Sequence, residues 1–232
     1  MIYLTADTHG RFHHLMDFLA SGTATKDDVL IILGDAGFNY DTVPNSGLRR
    51  KAPMNYYNVP ILSLQGNHEL RPEHLDTYHE MEWNGGIVYV EDRYPNLLFA
   101  KDGEVYTIDG KTILVCGGAY TVFKDYRIAH GLLWYPDEQP DEATKRRVEQ
   151  QLDRLDWKVD LMLTHTCPTK VVPKEKFISI VDQSTVDTST EDWLDTIEDR
   201  LTYDAWYCGH WHIEKDVGDI HFIYKEVHPL TD

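Results

Sequence analysis

Apolar and polar positions alternate in blocks along this chain, and short polar islands follow several apolar runs that are typical of strands. The strand-like runs are residues 2–4, 29–33, 61–64, 159–163 and 205–208. The islands that follow them are Asp7-Thr8-His9, Gly34-Asp35, Gly66-Asn67-His68-Glu69, Thr164-His165 and Gly209-His210-Trp211-His212. Side chains at the carboxyl ends of strands meet on one rim of an α/β sheet, so these islands predict one shared site.

Helical patterns separate the strands of the first third. Helices are predicted over residues 12–20 and 46–57, the second short or broken because Pro53 lies inside it. Strands alternating with helices indicate parallel βαβ units. Further on, residues 141–155 form an amphipathic pattern, and Thr188 with Glu191 matches a capping box that opens a helix over 192–201. The apolar stripe of the 141–155 helix comprises Ala143, Val148, Leu152 and Leu155.

The middle of the chain has a different pattern. Short strands are predicted at residues 86–90, 97–100, 105–108 and 112–116, separated by Asp102-Gly103 and Asp109-Gly110, and Asp-Gly is a tight hairpin signal. This pattern predicts a β-meander that forms a second, largely antiparallel sheet. Residues 217–220 predict a turn between two final hairpin strands. Together the elements predict a sandwich of two sheets flanked by helices.

Composition narrows the class of protein. The chain has 232 residues, with no repeat or linker-like stretch, which favours one domain. No apolar run reaches the ~20 residues needed to span a bilayer, and no signal peptide is recognisable at the start, so we expect a cytoplasmic protein with no membrane partner. The formal net charge of −17 disfavours binding to long nucleic acid. Cys116, Cys167 and Cys208 have no paired spacing and favour small buried residues over metal ligation or redox sensing.

The polar islands are rich in ligands for hard or borderline divalent metals, namely carboxylates, imidazoles and a carboxamide. If the first strand continues, Asp7 and His9 point to the same side, and His210 and His212 repeat that alternation. Two ligand sets are predicted, which share Asp35. One comprises Asp7, His9, Asp35 and His212, and the other comprises Asp35, Asn67, His165 and His210.

Two cations that share a carboxylate lie about 3.5–4 Å apart, the spacing used for in-line displacement at phosphorus. Water that bridges both ions would lose its proton near neutral pH and become the nucleophile. A lone Asp-x-His or Gly-Asp is a weak signal, but five islands in order after strand patterns are specific.

With these five blocks in order between residues 7 and 212, the chain resembles the calcineurin-like metallophosphoesterases. The resemblance implies an α/β fold, an α+β-type four-layer sandwich of two mixed β-sheets flanked by helices. It also implies two divalent metal ions (Mn, Fe or Zn) held by the ligand sets above. By the same resemblance His68 stands over the substrate, where it stabilises phosphoryl oxygens or protonates the leaving group, and Glu69 or Asp7 orients it.

The chain departs from the protein serine/threonine phosphatases of that superfamily, which carry an arginine after Gly-Asp and another before Gly-Asn-His. Ala36-Gly37 and Gln65 occupy these places here, which weighs against phosphoprotein substrates. Replacement phosphate ligands are predicted at Arg11, Arg71 and Arg127, because arginine offers a bidentate fork to phosphate oxygens.

The expected activity is hydrolysis of phosphate mono- or diesters, with a small or nucleotide substrate favoured. Protein phosphatase or nuclease activity, and an inactive metal-stabilised scaffold, are the alternatives. Residues 117–138 contain glycines, aromatics and two cations, and they form either a wall of the substrate pocket or a loop that packs on itself.

Overall fold

The structure is a computed structural model that describes residues 1–40 and 47–230. In these residues the chain forms thirteen strands and five α-helices. The strands are β1 (Ile2–Thr5), β2 (Val29–Ile32), β3 (Ile61–Ser63), β4 (Tyr78–Trp83), β5 (Gly86–Glu91), β6 (Leu97–Ala100), β7 (Val105–Ile108), β8 (Lys111–Cys116), β9 (Leu161–Thr164), β10 (Ala205–Cys208), β11 (Lys215–Val217), β12 (Ile220–Phe222) and β13 (His228–Pro229). The helices are α1 (His13–Ala20), α2 (Leu48–Asn55), α3 (Lys124–Ala129), α4 (Glu142–Arg154) and α5 (Ser189–Glu198).

Both sheets have a parallel centre and antiparallel edges. The first sheet has the strand order β13-β1-β2-β3-β6-β5-β4, in which β1, β2, β3 and β6 run parallel. The second has the order β11-β12-β10-β9-β8-β7, in which β12, β10, β9 and β8 run parallel. Since parallel strands end at the same edge, each sheet presents several loops on one rim.

The two sheets pack face to face, and helices cover their outer faces. Ile31 and Leu62 of the first sheet share the inner core with Ile113 and Leu163 of the second. On the outer face of the first sheet, alternate residues of the same strands pack against α1 and α2, and a third cluster joins the second sheet to α4 and α5. A strand covered on both faces is apolar throughout, as β2 is. The predicted α/β architecture, two mixed sheets flanked by helices, is confirmed.

The meander prediction for the middle of the chain is wrong in its pairing. The predicted strands exist, but β5 and β6 join the first sheet, while β7 and β8 join the second. The hairpin at Asp109-Gly110 connects β7 and β8 as predicted, with both residues at positive φ, whereas Asp102-Gly103 leads from one sheet to the other. Strand propensity and turn residues do not specify the pairing partner, so the pattern could not distinguish these arrangements. The turn predicted at 217–220 does join the antiparallel strands β11 and β12.

The helix predictions are confirmed in place and corrected at their ends. Helix α2 is short and contains Pro53, and the predicted start at Ser46 lies outside the described residues. Helix α5 starts at Ser189 rather than 192, and the capping box is absent, because the Thr188 hydroxyl bonds the side chain of Asp192 instead. In α4, Val148 and Leu152 are buried as predicted, but Ala143 is exposed.

The three cysteines, Cys116, Cys167 and Cys208, are all free thiols in the core, which agrees with the prediction of small buried residues. In residues 1–40 and 47–230, no helix combines the length and apolar character that crossing a bilayer requires. The cytoplasmic location stays a prediction.

Candidate metal centre

The five polar islands lie together on the rim between the two sheets. The first three follow β1, β2 and β3 of the first sheet, and the last two follow β9 and β10 of the second. The ring nitrogens of His9 and His212, 203 positions apart in sequence, lie 3.1 Å from each other. The face-to-face packing of the sheets therefore brings all five islands to one place.

The backbone reaches this geometry in a way that the alternation argument did not predict. Strand β1 ends at Thr5, and Asp7 and His9 both have positive φ, at 53° and 47°. His210 and His212 likewise have φ of 67° and 50°, and their rings diverge to different partners. The expectation that each pair points to one side of a continuing strand is wrong, although Asp7 and His9 do meet.

Glycines make room for the cluster. Gly34 has φ of +88°, and a Cβ there would lie 2.2 Å from the ring of His165. A Cβ on Gly66 would lie 2.0 Å from a carboxylate oxygen of Asp35. Only glycine permits these close approaches, which explains why it precedes Asp35 and Asn67.

Each carboxylate at the centre has one oxygen held by the backbone and one directed at imidazoles. The His210 amide donates to Asp7 Oδ2, and the His68 amide donates to Asp35 Oδ1, both at 2.9 Å. The second oxygen of Asp7, Oδ1, is buried without a hydrogen-bond partner and lies 3.6 Å from His212 Nε2. Asp35 Oδ2 lies 3.8 Å from nitrogens of His9 and His165.

Two hydrogen-bond acceptors also face one another. His165 donates from Nδ1 to the carbonyl of Leu33 at 2.7 Å, so in the neutral ring Nε2 carries a lone pair. The Asn67 amide donates from Nδ2 to the Thr121 hydroxyl, which turns Oδ1 toward His165 Nε2 at 3.0 Å. Two lone pairs at this distance repel unless a positive charge lies within reach of both. These donor atoms, with the unpartnered Asp7 oxygen, fit a divalent cation.

The structure groups the ligand atoms almost as predicted. In the described residues, Asp7, His9 and His212 offer atoms within 4.8 Å of one another, and so do Asp7, Asp35 and His165. Asn67 joins the second group through His165, and the His210 ring lies 5.2 Å from that of His165. The grouping differs from the predicted sets because the residue common to both groups is Asp7 rather than Asp35, and Asp35 belongs only to the group with His165.

Burial keeps several of the imidazoles in the form that binds metals. It lowers the pKa of His9, and it lowers that of His210 well below the ordinary value, with the neighbouring His165 acting in the same direction. Although burial acts to raise the pKa of Asp35, the surrounding imidazoles outweigh it and the pKa is lowered. These pKa shifts favour a neutral ring at His9 and His210 and an ionised carboxylate at Asp35.

The predicted catalytic residues have distinct surroundings. His68 lines the cavity above the cluster, and burial lowers its pKa despite the opposing effect of Asp35. In the described residues no hydrogen bond joins its ring to Glu69 or Asp7, so the orientation of His68 by either residue stays a prediction. Glu69 is buried, and its carboxylate accepts hydrogen bonds from the backbone amides of Ala36 and Gly37. These bonds fix the loop after β2. Burial and the charge of Asp35 raise the pKa of Glu69 to about 8.

Two of the three predicted arginines reach the site. A cavity of about 460 Å³ lies over the cluster, and Arg11, Arg127, His68 and Lys225 line it. Arg71 lies elsewhere, because its guanidinium pairs with Asp102 at 2.7 Å and donates to the Asp137 carbonyl at 2.9 Å. The placement of Arg71 with the other phosphate ligands is therefore corrected.

Three neighbours of the ligands were missed from sequence. Tyr40 contacts His9 Nδ1 through its hydroxyl at 3.0 Å, and Lys225 places a third cation in the cavity. Thr121 orients Asn67, and it belongs to the segment 117–138 for which two alternatives stood open. Tyr120, Thr121 and Phe123 of that segment line a second cavity beside the cluster, so the segment forms a wall of the pocket. No signal in the sequence pointed to Tyr40 or Lys225.

The fold agrees with that of one solved structure. The crystal structure of TT1561 of Thermus thermophilus is 15% identical, with a TM-score of 0.51 over 96% of this chain and 87% of that one. The NAD nucleotidase of Haemophilus influenzae is also 15% identical, with a TM-score of 0.42 over 97% of this chain and 41% of that one. A search of curated proteins found no match.

The calcineurin-like phosphoesterase family profile matches residues 1–214. That range contains all five polar islands and both sheets up to the loop after β10. The chain belongs to the calcineurin-like phosphoesterase family and is a hydrolase of phosphate esters.

Proposed function

We propose that this protein hydrolyses mono- or diesters of small phosphorylated molecules with the help of two divalent cations. The observation that carries the proposal is the grouping of carboxylate and imidazole ligand atoms within 4.8 Å of one another, in which Asp7 Oδ1 is buried without a hydrogen-bond partner. Buried polar atoms are normally paired, so an unpaired carboxylate oxygen among imidazole nitrogens favours a bound positive charge.

The residues that would hold the cations are Asp7, His9, Asp35, Asn67, His165, His210 and His212. Oxygen and imidazole donors without thiolates suit Mn²⁺, Fe or Zn²⁺. Bound there, cations supply Lewis-acid charge that activates water and neutralises charge on phosphoryl oxygens. The backbone amides that hold Asp7 Oδ2 and Asp35 Oδ1 fix the carboxylates beforehand, so little reorganisation is required.

The cavity lining supports a role in binding phosphate. Arg11 and Arg127 can donate paired hydrogen bonds to phosphoryl oxygens, and Lys225 adds a third positive charge. His68 has a lowered pKa, which favours a neutral ring that donates a hydrogen bond to phosphate over one that gives up a proton. Its proposed role is therefore to stabilise the phosphoryl group.

Phosphoprotein substrates are disfavoured by the two positions where protein phosphatases carry arginine. Ala36 is fully buried, and Gln65 donates to the carbonyls of Gly66 and Glu69 inside the protein. Neither can reach a phosphate. The net charge of −17 opposes long polyanions, so small esters remain the favoured class.

The experiment measures hydrolysis of p-nitrophenyl phosphate and bis-p-nitrophenyl phosphate by protein that is stripped with chelator and reloaded with Mn²⁺. Asp35→Ala and His210→Ala should each lose activity by at least about 100-fold. His79→Ala is the matched control, since His79 lies on β4 away from the cluster and should keep full activity. Unchanged activity in both Asp35→Ala and His210→Ala would refute the proposal.

A further inference from the structure

A second cavity of about 580 Å³ adjoins the cationic one. The two share His68, Arg127 and His212 in their lining, so they open onto the same cluster. The cationic cavity is lined mostly by polar residues, whereas the lining of the second combines polar residues with apolar side chains from two separate segments, residues 122–123 and 172–186. Its volume lies within the range of small-molecule sites, about 300–1,000 Å³.

Exposed apolar residues concentrate around this second cavity. In the described residues, twelve large hydrophobic side chains are exposed, and nine of them lie in residues 122–133 and 177–180. Val122, Phe123, Phe177 and Ile178 of these segments line the cavity, and each is 37–42% exposed. Such a concentration on a protein with this net charge marks a binding site rather than chance exposure.

Flat rings are prominent in the lining. Phe177 and Trp211 lie with ring centroids 6.2 Å apart and planes inclined by only 30°, and Tyr120 and Phe123 add two more rings. Neighbouring rings inclined at this angle offer apolar faces against which another planar ring can pack. Arg127 borders both cavities, so its guanidinium can contact a phosphate on one side and a ring on the other.

We propose that this cleft, defined by Phe123, Phe177 and Trp211, binds a planar aromatic group of the substrate, so that the enzyme acts on nucleoside or other aryl-bearing phosphate esters. The inference rests on the proposed function, because the cleft opens onto the candidate metal centre. It assigns specificity to residues 172–188, a segment outside all five polar islands.

The test compares esters that differ only in the ring. Hydrolysis of a nucleoside 5′-monophosphate and hydrolysis of ribose 5-phosphate break the same bond, which joins phosphorus to the oxygen of a primary alcohol. The methyl diesters of the two compounds allow the same comparison. The ring should raise kcat/KM by about 10-fold or more, which is the size of a base–aromatic stack. Benzyl phosphate and hexyl phosphate extend the comparison, and the benzyl ester should be the better substrate.

Variants of the cleft locate the effect. Phe123→Ala and Phe177→Ala should each remove most of the advantage of the nucleoside ester and leave kcat/KM for the ribose ester unchanged. Phe177→Leu keeps an apolar side chain but removes the ring, and it should behave like Phe177→Ala. Ile180→Ala is the matched control, because Ile180 is 83% exposed in the same segment and does not line the cavity.

Equal kcat/KM for the nucleoside and ribose esters would overturn the inference, as would a hexyl ester that matches the benzyl one. A loss in Phe177→Ala that is equal for all esters would do the same. If no ester is hydrolysed, the proposed function fails. In that case the role of the cleft is tested by calorimetric titration with the nucleoside 5′-monophosphate and ribose 5-phosphate. Tighter binding of the nucleotide that is lost in Phe177→Ala supports the inference, and equal binding of the two compounds refutes it.

Discussion

Five of the seven proposed ligands have a positive φ, a backbone conformation that residues other than glycine rarely adopt. Asp7, His9, Asp35, His210 and His212 all have φ between 47° and 67°. Each such residue costs about 1 kcal/mol or more, so the rim stores strain that the surrounding packing must support. The amides that donate to Asp7 and Asp35 are part of that support.

Thr121 provides a test of how a single neighbour controls a ligand. Its hydroxyl accepts from the Asn67 amide at 2.7 Å and so turns the amide oxygen toward His165. Thr121→Val removes that acceptor and should weaken Mn²⁺ binding about 10-fold or more, as measured by calorimetry. Thr121→Ser keeps the hydroxyl and should bind as tightly as the unaltered protein. Equal affinity in both variants would show that Asn67 needs no such support.

Glu191 gives a pH-dependent prediction. It is buried beside Thr166, whose hydroxyl donates to it, and burial raises its pKa to about 7. Because this exceeds the unfolded value of 4.5, the folded chain binds the proton more tightly. The contribution of the protonated Glu191 to the free energy of unfolding is fully present below pH 4.5 and is lost as the pH rises through 7. The loss amounts to about 3 kcal/mol.

Glu191→Gln should therefore abolish this part of the pH dependence. The free energy of unfolding in urea is measured at several pH values from 4.5, the unfolded-state pKa, to about 8. As the pH rises, the variant should become more stable relative to the unaltered protein. Glu142→Gln, at an exposed position, is the control and should follow the unaltered protein throughout. A constant difference between Glu191→Gln and the unaltered protein at every pH would contradict the prediction.

At the scale of elements, a buried ion pair joins helix α2 to the first sheet. Lys51 on α2 donates to Glu91 at the end of β5 at 2.6 Å and to the Tyr78 hydroxyl at 3.0 Å. Both charged residues are nearly inaccessible to solvent. The pair fixes where α2, a short helix containing Pro53, lies on the sheet.

Lys51→Met should destabilise the protein by about 3–5 kcal/mol, because it leaves the Glu91 carboxylate buried without its partner. The double variant Lys51→Met with Glu91→Leu should recover much of that loss, as measured by chemical unfolding. Lys101→Met breaks a more exposed pair with Glu80 and should cost under about 1 kcal/mol. A loss in Lys51→Met no larger than in Lys101→Met would contradict this role.

The elements also mark how far local pattern can predict structure. The strands at residues 97–100, 105–108 and 205–208 match their predicted bounds, because continuous apolar runs bounded by turn residues suffice to define them. Strand β4 was missed, because four of its six residues are exposed and it contains no continuous apolar run. Helix α3 was missed because it is six residues long and has no buried face.

At the scale of the whole molecule, the protein has an excess of acidic residues, and two of their carboxylates lie in the candidate metal centre. The net charge is −17, and the carboxylates of Asp7 and Asp35 are almost completely buried. A cation bound there would neutralise part of this excess and would favour the folded state.

Addition of Mn²⁺ should therefore raise the melting temperature of chelator-treated protein. At about 100 times the dissociation constant, binding adds about 2.7 kcal/mol, which corresponds to about 5–10 °C for a chain of this size. His165→Ala should abolish the rise, and His79→Ala should retain it. The idea fails if His165→Ala shows the same rise as the unaltered protein.

The sequence by itself determined which residues compose the candidate centre, because ligand-type side chains that follow apolar strands are a local pattern. It also predicted two mixed sheets flanked by helices, through the family resemblance that the five polar islands carry, although the predicted pairing of the middle strands was wrong. Only the tertiary structure decided which acceptors face one another, that Arg71 is paired away from the site, and that residues 172–188 line the cleft. The physical reason is that these features depend on contacts between residues far apart in sequence, which the packing of the two sheets creates.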